Sequence, residues 1–88
     1  MATNQVIFDQ VYKILAKVRS ELRNNYDTSA GIRDMVVYFR MKGKKAVRCD
    51  EHDYINDTQE SVFPIIVSWD TNNADLRCLA REVMHGLA

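Results

Sequence analysis

Two single-sided apolar stripes, one near each end of the chain, constrain this fold more than any other feature. Ile7, Val11, Ile14, Leu15, Val18 and Leu22 recur at spacings of three and four, which predicts a helix over residues 4–23 with one buried face. Lys13, Lys17, Arg19 and Glu21 fall mainly on its other faces, and Arg19 and Arg23 complement the helix dipole near the C-terminal end. Leu76, Leu79, Ala80, Val83 and Leu87 repeat the pattern over residues 73–87. Asn72 suits the N-cap of this second helix, with Asp75 placed as a capping partner. A helix with one stripe has one face to bury. Both helices are therefore expected on the same side of whatever lies between them.

What lies between reads as three strands. Met35-Val36-Val37-Tyr38-Phe39 within residues 33–41 is rich in β-branched and aromatic residues, which favours a strand. Ile32, Met35, Val36 and Phe39 also fit helical spacing, with Thr28 or Ser29 as a cap, so the sequence leaves residues 32–41 open to either assignment. Lys42-Gly43-Lys44 suits a hairpin turn, with Gly43 free to take positive φ, and residues 45–49 form the return strand. The acidic stretch 50–60 reads as a loop, with Tyr54 and Ile55 tucked against the core. Residues 61–70, with Val62-Phe63-Pro64-Ile65-Ile66-Val67-Ser68-Trp69 at their heart, are the clearest strand. Pro64, which has no N–H to donate, marks an edge, a strand start or a bulge.

The expected architecture is α+β, in the order α-β-β-β-α. It is one domain over residues 1–88, a three-stranded antiparallel meander with both helices on one face. Alternation assigns Met35, Val37, Phe39, Val47, Phe63, Ile65, Val67 and Trp69 to the core. Val36, Tyr38, Arg40, Arg48, Val62, Ile66 and Ser68 go to the opposite, uncovered face. A one-residue register shift would invert such an assignment.

Composition narrows the classes of function. No apolar run approaches the roughly 20 residues that cross a bilayer, and the N-terminal residues lack a basic-then-apolar signal pattern, so a cytoplasmic protein is expected. Asn56-Asp57-Thr58 then reads as a chance glycosylation pattern. Cys49 and Cys78 are too few for a disulfide framework. The net charge is zero, yet residues 1–48 carry ten Lys/Arg against four Asp/Glu, and residues 49–88 carry two against eight. A +6 half followed by a −6 half bears on partners, not on fold.

No nucleophile elbow and no phosphate-binding glycine loop is present, so neither an enzyme nor a cofactor is expected. Cys49, His52, Cys78 and His85 are of the right types for zinc, but their spacing is looser than that of structural sites, and no metal is expected.

Arg40, Lys42, Lys44, Lys45 and Arg48 are candidates for phosphate contact, with Tyr38 available to stack on a base. The element order is also that of double-stranded RNA-binding domains, which read duplex shape. The likeness ends at element order: those domains open the last helix with a lysine cluster, and this chain has Asn72-Asn73-Ala74-Asp75 there. A neutral whole also differs from the basic excess of a dedicated nucleic-acid domain.

Protein binding is the favoured expectation. Val36, Tyr38, Val62 and Ile66 beside Arg40 and Arg48 mix apolar area with the tyrosine and arginine typical of interface hot spots. The expected role is a small non-enzymatic interaction module, an accessory or inhibitor-type factor of the kind phages encode. Its partner is a protein of unknown identity, with a homodimer as one form. A nucleic-acid-binding module using residues 33–48 is the alternative.

Overall fold

The computed structural model describes residues 4–25, 32–52 and 62–87. Helix α1 spans Asn4–Asn25, strands β1, β2 and β3 span Asp34–Lys42, Lys45–Cys49 and Phe63–Ser68, and helix α2 spans Asn73–Leu87. This is the expected α-β-β-β-α order. Residues 34–42, open to either assignment by sequence, are strand: β1 is the central strand, paired antiparallel with both neighbours. Tyr54, Ile55, Asn56-Asp57-Thr58 and the acidic residues Asp53, Asp57 and Glu60 lie outside the described residues, as do Thr28 and Ser29.

Both helices cover one face of the sheet. α1 touches all three strands and α2, while α2 rests on β3 and β1. Val11, Leu15, Leu76, Ala80 and Val83 meet Val37, Phe39 and Val67 in one core where each is completely buried. Burying a Leu15-sized side chain contributes roughly 1.5–3 kcal/mol. Met84 joins this core, a position the helical stripe read from sequence passed over, while Leu79 and Leu87 are only partly buried against it. The Cα trace is 15 Å deep along its shortest axis, room for two layers at about 10 Å spacing.

α2 starts where the local chemistry dictates. The Asn72 Oδ1 accepts from the Asp75 N–H at 2.7 Å, and the Asn72 carbonyl accepts from the Leu76 N–H at 2.9 Å. At the other end of the molecule Gly43 has φ +64° and is the only described residue with positive φ. Lys42 pairs with Lys45, so the turn is the two residues Gly43-Lys44, and glycine at the first of them suits a type II′ hairpin.

Two expectations need correction. The sheet is not a meander: its order is β2-β1-β3, so β3 returns to the far side of β1 rather than beside β2. β1 is the longest strand, with Val37 and Phe39 fully buried, and gains most from pairing on both sides. β2 is short, Lys45-Ala46-Val47-Arg48-Cys49, and carries charges suited to an edge. β2 and β3 run parallel to each other across β1. Residues 50–62 supply the roughly dozen residues such a crossover needs.

The second correction concerns β2. A two-residue turn instead of the expected three-residue Lys42-Gly43-Lys44 shifts the return strand by one position, which flips every side chain. Ala46 is buried under α1, and Arg48 pairs with Phe39 on the helix side. Val47 and Cys49, paired with Arg40 and Tyr38, point to the opposite face.

Candidate interaction face

The face turned away from the helices is built by alternation. Along β1 it presents Asp34, Val36, Tyr38, Arg40 and Lys42; along β2, Lys45, Val47 and Cys49; along β3, Pro64, Ile66 and Ser68. Val36 sits directly opposite Ile66, and Tyr38 lies between Pro64 and Cys49. Among the described residues the exposed large hydrophobic side chains are Val6, Ile32, Val36 and Ile66. The last two, 41% and 59% exposed, are a cross-strand pair, and Ile32 precedes β1 at the same end of the sheet.

Of the seven residues expected on this face, Val36, Tyr38, Arg40, Ile66 and Ser68 are there. Val36 and Ile66 are exposed, and Tyr38 and Arg40 are half-buried. Arg48 is not: its Nη2 donates to the Sδ of Met35 at 3.4 Å, on the helix side, although Arg48 also borders an open hollow with Val36, Tyr38, Cys49, Asp50 and Glu51. Val62 is not exposed either. It is 4% accessible and stands outside the main core cluster, so the face is open around Val36 and Ile66 and closed at Val62. The sequence reading missed Pro64 and Cys49 as parts of the face. A second hollow, lined by Val36, Pro64, Ile66, Leu79 and Glu82, carries the apolar surface around the β3 edge towards α2.

Charge runs along this face in one direction. Asp34 lies where β1 begins, and Asp50 and Glu51 border the hollow beside Val36 and Tyr38. Lys42, Lys44 and Lys45 lie exposed at the hairpin end, with Arg40 one step inside. The five basic candidates for phosphate contact therefore divide. Arg40, Lys42 and Lys45 share the outer face, Lys44 is in the turn, and Arg48 points to the other side.

Both sheet edges are interrupted. Lys42 and Lys45 close the hairpin as a hydrogen-bonded pair, so the next pair, Met41 and Ala46, turns the Ala46 N–H outward. The Gln10 Oε1 on α1 accepts from it at 2.8 Å. On β3, the Trp69 N–H donates to the Arg33 carbonyl at 2.8 Å, which puts Pro64, Ile66 and Ser68 in the pairs whose polar groups face the free edge. Pro64 has no N–H there. The Ser68 N–H donates to the Thr71 Oγ1, and the Ser68 carbonyl accepts from the Thr71 N–H, both at 3.2 Å. Among the described residues, each edge row offered to an added strand is thus broken at one or more positions.

On the helix side, Phe8 and Tyr12 stack at 6.0 Å between ring centroids above a hollow shared with Asp9, Lys13 and Arg77. Its mixed charge singles out no partner. Cys49 is half-buried on the outer face and Cys78 exposed on α2. Among the described residues no three of His, Cys, Asp and Glu are grouped to hold a metal, and no helix is long and apolar enough to cross a membrane. Comparison of the chain with protein-family models, with curated proteins and with solved structures finds no match.

Proposed function

We propose that this chain is a non-enzymatic protein-interaction module that docks a folded partner flat against its outer sheet face, in the manner of an accessory or inhibitor-type factor. The observation that carries this reading is the cross-strand pair Val36 and Ile66, left exposed on a face that has Tyr38 and Pro64 beside it. A sheet with one face packed and one solvated normally turns polar residues outward. Here apolar side chains are turned outward, as at the centre of an interface. The interrupted edges favour face docking over strand addition. The partner that fits presents an apolar patch between one acidic and one basic rim.

Light scattering of the purified protein, combined with affinity capture, tests this. A stoichiometric protein partner, self or other, is expected, and it should be lost in Tyr38→Ala/Ile66→Asp while circular dichroism stays unchanged. Binding that survives in that variant overturns the reading. Titration with duplex RNA, duplex DNA and single strands at low salt is the counter-test. Tight binding lost when Arg40, Lys42, Lys44 and Lys45 become Gln would replace face docking with nucleic-acid binding.

A further inference from the structure

We infer that the occupant of the outer face is a second copy of this chain, stacked sheet to sheet with the two sets of strands running in opposite directions. This rests on the proposed docking face and identifies its partner. The argument is one of symmetry and charge. A face-to-face pair of identical sheets can be related by a two-fold axis in the plane between them, lying either along the strands or across them. An axis along the strands stacks like ends: Asp34 over Asp34 and Lys42 over Lys42. An axis across the strands stacks unlike ends, so that Asp34 of each copy meets the Arg40–Lys42 end of the other. The charge order along β1, acidic at Asp34, apolar at Val36, aromatic at Tyr38 and basic at Arg40 and Lys42, is self-complementary only in the second arrangement.

With the axis passing between Val36 and Tyr38, the exposed Val36–Ile66 pair of one copy lies over Tyr38 and Pro64 of the other. Both apolar patches are then covered at once. The axis also sets β2 over β2, which brings Cys49 of the two copies near each other across sheets separated by about 10 Å. Cys78, on the exposed side of α2, stays remote from its counterpart. The sheet measures roughly 14 Å across three strands and 27 Å along β1, about 400 Å² in plan, from standard strand spacings. That lies below the ~800 Å² per partner of a standard interface, so the dimer is a weak one in exchange with monomer.

The test is a charge-swap pair followed by analytical ultracentrifugation across protein concentration and salt. The parent should dimerise reversibly and more weakly as salt rises. Asp34→Lys alone and Arg40→Glu/Lys42→Glu alone should each weaken self-association roughly tenfold or more, because attractive contacts become repulsive at both symmetric ends. An equimolar mixture of the two variants should regain the dimer, since both ends are then oppositely charged. A short bis-maleimide should join Cys78→Ser molecules through Cys49 and leave Cys49→Ser molecules unjoined. A parent that is monomeric at millimolar concentration, variants that dimerise like the parent, or a mixture that stays monomeric overturns self-pairing. If the parent is monomeric yet holds a different protein that Ile66→Asp releases, self-pairing fails and the docking face stands. If Ile66→Asp releases nothing, both fail.

Discussion

Gly86 stands one residue before the end of α2, and a Cβ at this position would run into the ring of Phe63, with Cδ2 and Cε2 closer than any real contact and Cγ at 3.1 Å. Two effects of Gly86→Ala oppose each other. Alanine is favoured over glycine by up to about 1 kcal/mol inside a helix, and by less in a terminal turn that frays. Forcing extra volume into a packed site costs about 1–3 kcal/mol. Phe63 cannot yield freely. It packs against the core at the start of β3 and pairs with Phe39, which is completely buried. The clash should therefore win, with a net destabilisation of about 1 kcal/mol and a Tm lower by about 4–8 °C for a domain of this size. Urea and thermal melts followed by Trp69 fluorescence and circular dichroism measure this. The decisive arm is Phe63→Ala. In that background Cγ and the ring are gone, only the propensity gain remains, and Gly86→Ala should raise stability. Equal effects of Gly86→Ala in both backgrounds, or a higher Tm in the parent, would refute the close-approach argument.

Three further outcomes follow from named hydrogen bonds. Asn72→Ala should lower unfolding free energy by about 1 kcal/mol through loss of the bond to the Asp75 N–H, and Asn72→Asp should retain most of it, both read from denaturant midpoints. Arg19 donates from Nη1 to the Thr71 carbonyl at 3.0 Å while its Nε is buried without a partner, so Arg19→Ala should cost about 1.5–3 kcal/mol and Arg19→Met, which keeps the stem and removes the orphaned Nε, should cost less. Gln10→Ala should cost about 1 kcal/mol and speed amide exchange at Ala46 selectively, since the outward N–H of this edge residue loses its acceptor.

Much of the outer face was legible because it needs only alternation within one strand. Val36, Tyr38 and Arg40 follow from the parity of β1, and Ile66 from that of β3. Arg48 was misplaced because its face depends on how many residues the turn holds, and Lys42-Gly43-Lys44 is compatible in sequence with a loop of three or of two. Val62 was misplaced for a different reason. Alternation says which way a side chain points and nothing about what else reaches it, and Val62 is buried apart from the main core.

The sequence by itself determined most of the elements. Apolar spacing set α1 and α2, β-branched and aromatic content set β3 and favoured a strand at β1, Asn72 set the start of α2, and Gly43 set the hairpin. These are local effects, decided within a turn of helix or between neighbouring residues. The tertiary structure decided the order β2-β1-β3, the facing of β2 and the interruption of both edges. Each depends on groups far apart in the chain: Gln10 on α1 meets Ala46, and β1 pairs with β3 from Asp34 opposite Ser68 to Phe39 opposite Phe63. Central placement of β1 buries its Val37 and Phe39 completely, a gain that no stretch of sequence read alone contains.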